Sequence, residues 1–242
     1  MKTIISKDYA EMSKRAADVV ASLMESRKEP LICTASGDSP AGLYRELVER
    51  VKQEKLSAEN WWVVSLDEWI GMDGSDEGSC RFHLDRQLFG PAAIAESRIC
   101  FFDGKTADAD TECTRIEEFI QLHGGIDVAI LGVGMNGHVG MNEPGVDPAL
   151  EAHVAELHPT TKEVGQKYFQ KQQELTGGLT LGIATLMKAR HVIIVISGKH
   201  KAAIAARIID EPTSTTLPAT LLKNHPSLQI FLDHDAASAL VH

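Results

Sequence analysis

IDVAILGVGMNGHVGMNEPG, residues 126–145, reads as a buried strand that runs straight into a glycine-rich loop. The apolar run over residues 128–133 has the unbroken character of a parallel strand covered on both faces. Glycines then fall at Gly132, Gly134, Gly137 and Gly140, with Asn136, His138, Asn142 and Glu143 among them and Pro144 closing the segment. Glycines directly after a strand let the backbone turn tightly and let a ligand come close. Ligands of open α/β sheets bind just beyond the carboxyl ends of the strands, where this loop lies. His138 and Glu143, five residues apart on such a loop, form a candidate proton-transfer pair. A turn whose polar residues merely cap the next element accounts poorly for four glycines interleaved with His, Asn and Glu.

Working outward, the same strand–turn–helix junction recurs. Residues 31–34 form a short apolar strand that enters Ala35-Ser36-Gly37-Asp38-Ser39-Pro40, with a helix expected over 41–53. Backbone N–H groups and hydroxyls gathered at a helix N-terminus make a phosphate cradle, and a cap built from Ser39 and Pro40 is compatible with that use. It is not a Walker loop, because the GxxxxGK[ST] spacing is missing. Residues 191–196 form a β-branched strand followed by Ser197-Gly198-Lys199-His200-Lys201 and a helix to about residue 210. Residues 61–66 are apolar and end in Asp67-Glu68, which puts a carboxylate at a strand's carboxyl end.

Further strands are expected at 99–102, 152–157 and 228–232. Helices are expected at 9–24, 79–88, 108–122 and 162–170, with a strand and then a helix within 179–187 and a short helix at 218–222. This alternation predicts a three-layer α/β/α, doubly wound, mostly parallel sheet of Rossmann-like type. With 242 residues and no linker, repeat or low-complexity tract, a single domain is expected.

Hydrophobic residues make up 43% and charged residues 24%, the profile of a globular protein. The net charge of −10 disfavours nucleic acid, whose phosphates select basic faces, but leaves room for a small anionic substrate. Cys33, Cys80, Cys100 and Cys113 have neither metal-ligand spacing nor a compact disulfide pattern. They are expected to be free thiols of a cytoplasmic protein. Residues 1–26 are charged and interrupted, without the apolar core of a secretory leader, and no membrane partner is expected.

With these residues in view, the chain resembles the glucosamine-6-phosphate deaminase (isomerase) family, which also contains 6-phosphogluconolactonases. The resemblance covers nearly the whole length. It rests on SGDSP (36–40), SLDEWIG (65–71), GVGMNGHVGMNEPG (132–145), LTLGIATLM (179–187) and SGKHK (197–201). The Asn142-Glu143-Pro144 ending favours the deaminase branch over the lactonase branch. By resemblance, the substrate is a 2-amino-2-deoxyhexose 6-phosphate, converted to a ketohexose 6-phosphate with release of ammonia. No metal or organic cofactor is implied, because the sugar's own carbonyl takes up the electrons as an enol. The resemblance makes Asp67 the proton acceptor at carbon 2. It makes His138 the group that opens the ring and Glu143 its orienting carboxylate. The phosphate grip maps to Ser36, Gly37, Asp38 and Ser39, to Gly137, to Lys201, and to Lys167, where many relatives carry arginine.

Two departures from the family stand out. Familiar deaminases have aspartate immediately before the glycine-histidine pair, and here that position is Asn136. Asparagine holds an imidazole by hydrogen bonding but cannot stabilise an imidazolium by charge, which throws more reliance on Glu143. A similar asparagine occurs in relatives assigned to galactosamine 6-phosphate, so both sugars stay open. Residues 146–155 also lack the serine and paired basic residues of the allosteric relatives. No effector activation and a monomer or small homo-oligomer are therefore expected. A 6-phosphogluconolactonase and a non-catalytic sugar-phosphate sensor are the alternatives. The first is disfavoured by Asn142-Glu143-Pro144, and the second by retention of Asp67, His138 and Glu143 with no residues to spare for a DNA-binding helix-turn-helix.

Overall fold

The computed structural model describes residues 1–240. It opens on a strand that the sequence reading did not anticipate, β1 (Lys2–Ser6). Only Ile4 and Ser6 of its five residues are buried, so it lacks the apolar run that marks the central strands. The chain continues through α1 (Tyr9–Glu25), β2 (Leu31–Thr34), α2 (Asp38–Lys52), β3 (Trp62–Ser65), β4 (Asp67–Trp69) and α3 (Cys80–Leu84). Next come β5 (Ile99–Cys100), α4 (Ala109–Leu122), β6 (Val128–Leu131), β7 (His153–Ala155) and α5 (Pro159–Gly165). The last elements are β8 (Gly178–Thr180), α6 (Ile183–Met187), β9 (His191–Ile196), α7 (Ala202–Asp210) and β10 (Leu228–Asp233).

Helix starts follow local chemistry. Asp8 accepts from Glu11 N at 2.8 Å at the head of α1, and Asp108 accepts from Thr111 N at 3.1 Å at the head of α4. Two expected helices are shorter than their patterns. The one over 79–88 is α3 plus a single π turn (Asp85–Phe89), and the one over 162–170 is α5 plus a 3₁₀ turn (Gln166–Tyr168).

Seven strands form one parallel sheet in the order β1-β10-β9-β6-β2-β3-β5. Side chains alternate between its faces. Ile32, Val63, Ile130, Ile193 and Val195 pack with Met12, Val20, Leu43 and Leu47 of α1 and α2. Cys33, Val64, Leu131 and Ile194 pack instead with Ile116 and Ile120 of α4 and with Ile204 and Ile208 of α7. The three-layer α/β/α architecture is as expected. From β2 the chain builds outward to β3 and β5, and from β6 it builds the other way to β9 and β10. The loops leaving β2 and β6 therefore flank the topological switch point, where open sheets bind ligands.

A second sheet was not anticipated. Strands β4, β8 and β7 pair antiparallel, in that order, and none of them belongs to the large sheet. The expected strand over 61–66 is β3, but the chain does not stop there. Leu66 N donates to Thr34 O in the large sheet at 3.1 Å, and Leu66 O accepts from Leu181 N at 2.8 Å. One continuous extended stretch thus changes sheets at Leu66, and Asp67 is the first residue beyond the corner.

Candidate active site

One cleft gathers the ends of β2, β6 and β9, the start of β4 and the face of α5. The β2 loop enters α2 through Gly37, whose φ of +126° suits glycine and frees the turn from side-chain bulk. Ser36, Gly37, Asp38 and Ser39 all line the cleft. Ser39 Oγ lies 3.0 Å from Ser197 Oγ and ties the β2 loop to the β9 loop. Behind the β9 loop, the Gly198 N–H donates to both oxygens of buried Asp233, at 3.1 and 3.0 Å.

Both expected lysines reach this end of the cleft. Lys201 Nζ donates to Val133 O at 2.6 Å, and burial, helped by the nearby Lys167 charge, pushes its ammonium down to about 8. Lys167, on the turn after α5, pairs with Asp38 Oδ2 at 2.6 Å and lies over the Tyr168 ring at 4.8 Å. Asp38 thus sits in the expected cradle as an anion that already engages one of its cations. His200 also lines the wall.

Asp67 lines the cleft at the sheet corner. Burial pushes its carboxyl up to about 6, against the opposing pull of the Cys80 thiol and the His138 charge. Its neighbour Glu68 points away into the protein and is fully buried. Glu68 accepts the backbone N–H groups of Trp69, Cys80 and Arg81 at 2.8, 2.9 and 3.0 Å, which anchors the start of α3 behind Asp67. Burial pushes the Glu68 carboxyl up to about 7 in spite of these donors.

The β6 loop carries the histidine. Gly134 has no room for a side chain, since a Cβ there would stand 2.1 Å from the His138 ring. Gly137 has φ +84°, and a Cβ would meet Leu217 at 2.2 Å. Gly137 therefore shapes the turn, and the cleft lining runs past it from Met135 to His138. His138 Nδ1 lies 2.7 Å from Asn136 Oδ1, and Asn136 Nδ2 donates to Glu143 Oε2 at 2.8 Å. The amide orientation is fixed by its surroundings. Oδ1 also accepts the His138 backbone N–H at 3.2 Å, and a flipped amide would face donors with its NH₂ and a carboxylate with its oxygen. Glu143 Oε2 is 3.5 Å from His138 Nδ1. Burial raises the Glu143 carboxyl, but contacts with His138, Thr161 and Asn136 outweigh it and hold the group below the usual range. Asn142 is structural, with Nδ2 donating to Val139 O and Leu181 O at 2.8 and 2.9 Å.

Asp67, His138, Lys167, Lys201 and the 36–39 turn meet in this cleft, with Asn136 and Glu143 held behind the imidazole. Thr161, Cys80 and Tyr168 also line it and were not singled out from the sequence. Thr161 lies in the first turn of α5, whose cap is His158, accepting from Thr160 N at 3.2 Å.

The profile of the glucosamine-6-phosphate isomerases/6-phosphogluconolactonase family matches residues 7–230. The chain belongs to this family. Among its members, the glucosamine-6-phosphate deaminase of Geobacillus sp. (strain WCH70) is 36% identical over 239 residues, covering 98% of this chain and 95% of that protein. The glucosamine-6-phosphate deaminase of Bacillus velezensis is 33% identical over 238 residues, covering 98% and 99%. A solved structure of a monomeric glucosamine-6-phosphate deaminase superposes with a TM-score of 0.95 at 31% identity, covering 99% of this chain and all of that one. The 6-phosphogluconolactonase from Trypanosoma cruzi, at 23% identity and a TM-score of 0.76, shares the family fold.

Proposed function

We propose that this chain converts glucosamine 6-phosphate to a ketohexose 6-phosphate and ammonia. The observation that carries the reading is a raised carboxyl, Asp67, lining one cleft with an imidazole backed by an amide and a carboxylate, beside two lysines. In this reading the phosphate is held by Lys167, Lys201 and the 36–39 turn. His138 moves a proton between the carbon-1 hydroxyl and the ring oxygen, which opens the pyranose to the aldehyde. Asp67 then takes the proton from carbon 2, and the electrons pass to the carbonyl to give an enolamine. Return of that proton to carbon 1 leaves an iminium at carbon 2, to which water adds and from which ammonia departs. Asn136 and Glu143 act through the imidazole, by fixing its orientation and offsetting its charge.

Glucosamine is favoured because the relatives at 33–36% identity are glucosamine-6-phosphate deaminases. Asn136 is also not among the residues that line the cleft, its amide being turned to His138 and Glu143. A monomer without effector control is the matching assembly, supported by likeness to a monomeric deaminase. A cytoplasmic setting fits the reaction, and among the described residues no helix is long and apolar enough to cross a membrane.

Ammonia release from glucosamine 6-phosphate and galactosamine 6-phosphate, measured side by side with hydrolysis of 6-phosphogluconolactone, tests the proposal. Release from glucosamine 6-phosphate with none from Asp67→Asn is expected. Lactone hydrolysis alone overturns it.

A further inference from the structure

Thr161 lies on α5, six residues before Lys167 on the same stretch of chain. It is 5% exposed, and its Oγ1 is 3.0 Å from His138 Nδ1. That nitrogen also faces Asn136 Oδ1 at 2.7 Å and Glu143 Oε2 at 3.5 Å. Nδ1 carries at most one proton. Because Asn136 Oδ1 is fixed as an acceptor, Nδ1 must be the protonated nitrogen of the neutral ring. Thr161 Oγ1 then accepts from the same N–H. Among the described residues Nε2 makes no hydrogen bond, and His138 lines the cleft.

We propose that Thr161 is a positioning residue of the reaction, a second acceptor beside Asn136 that steadies His138 in the Nδ1–H tautomer. This rests on the reading of His138 as the ring-opening group. The need arises from Asn136. An amide supplies no charge to an imidazolium, and Glu143 stands at 3.5 Å, too far for a short direct hydrogen bond. A hydroxyl that accepts from Nδ1 beside the amide gives the ring a second neutral anchor, and the two acceptors together fix its orientation. The charged groups that interact with His138 are Asp67 from β4 and Glu143 from its own loop.

The test compares Thr161→Val, which keeps the shape, with Thr161→Ser, which keeps the hydroxyl, in the full chain. Thr161→Ala serves as a second deletion where valine impairs folding. With glucosamine 6-phosphate, kcat of the valine and alanine variants is expected to fall roughly tenfold or more, with KM within about threefold, and serine to recover most of the loss. Nitrogen-15 NMR of the imidazole, assigned by the signal lost in His138→Asn, is expected to show the Nδ1–H form weakened in Thr161→Val and restored in Thr161→Ser. Unchanged kcat, a change confined to KM, serine as impaired as valine, or an unaltered tautomer each overturns the proposal. If the wild-type chain releases no ammonia, it is the functional reading that fails, and the tautomer comparison still decides for or against Thr161.

Discussion

The Lys167 ammonium stands 2.6 Å from the Asp38 carboxylate at the site read as a phosphate grip. In that reading, substrate phosphate and Asp38 compete for one cation. Both side chains are largely open to water, at 45% and 77% exposure, which makes the contact weak and easily displaced. Asp38→Asn is expected to lower KM for the sugar phosphate by about twofold to fivefold, with inhibition by inorganic phosphate strengthened in parallel. Steady-state kinetics at low ionic strength checks this, and an unchanged KM would make the pair a bystander.

In the proposed mechanism Asp67 sets the acid side of the activity. Its carboxyl is pushed up to about 6 by burial, and only the ionised form accepts a proton. In the free enzyme kcat/KM should rise as pH climbs through about 6, and Asp67→Asn should show no such rise and no ammonia release. The sign for stability is opposite. Because the folded group holds its proton more tightly than an unfolded aspartate does, its contribution is fully present below the unfolded value and is lost as pH rises through about 6. Denaturant titrations of the wild type and Asp67→Asn between these limits should differ most near neutrality, where the variant is relatively favoured.

In the same reading, with Lys201 holding phosphate, this lysine sets the alkaline side. Burial brings its ammonium down to about 8, so the free site loses a phosphate-binding charge above that pH. The expected profile is a fall in kcat/KM beyond about pH 8 with kcat less affected, since bound phosphate favours the charged lysine. Lys201→Arg keeps its charge throughout and should flatten that limb, at some cost in affinity from the altered head group. A limb that survives in the arginine variant would belong to another group.

Restoring aspartate at position 136 should not help this chain. Asn136 Nδ2 donates to Glu143 Oε2 at 2.8 Å, and an aspartate would set two carboxylates at that distance. One of them must then hold a proton at neutral pH. Asn136→Asp is expected to destabilise the fold by about 1–3 kcal/mol at pH 7.5, less at pH 5, and to lower kcat. Chemical denaturation at the two pH values measures the difference.

The parallel sheet was legible because β2, β6 and β9 are short, unbroken apolar runs, each followed by glycine. The same glycines made the His138 loop and the 36–39 turn recognisable. Other features leave weak traces. β1 buries only alternate residues over five positions, and β4, β7 and β8 are three-residue strands whose pairing depends on partners far away in the chain. Thr161 leaves no such trace, because a hydrogen bond spanning 23 positions has no local pattern. Asp38 carried the opposite difficulty. It belonged to a recognisable turn, but its ion pair with a residue 129 positions away changes what that turn does.

The corner at Leu66 gives the proposed machinery two foundations. His138, Lys201 and the 36–39 turn stand on the large parallel sheet, whereas Asp67 begins a strand of the small antiparallel one. A slight slide of one sheet over the other would alter the gap between the two proton-transfer groups and leave the anchorage of Lys201 and the turn untouched. Speed and grip are then mechanically separable. Substitutions along the seam between the sheets become a means of tuning one without the other.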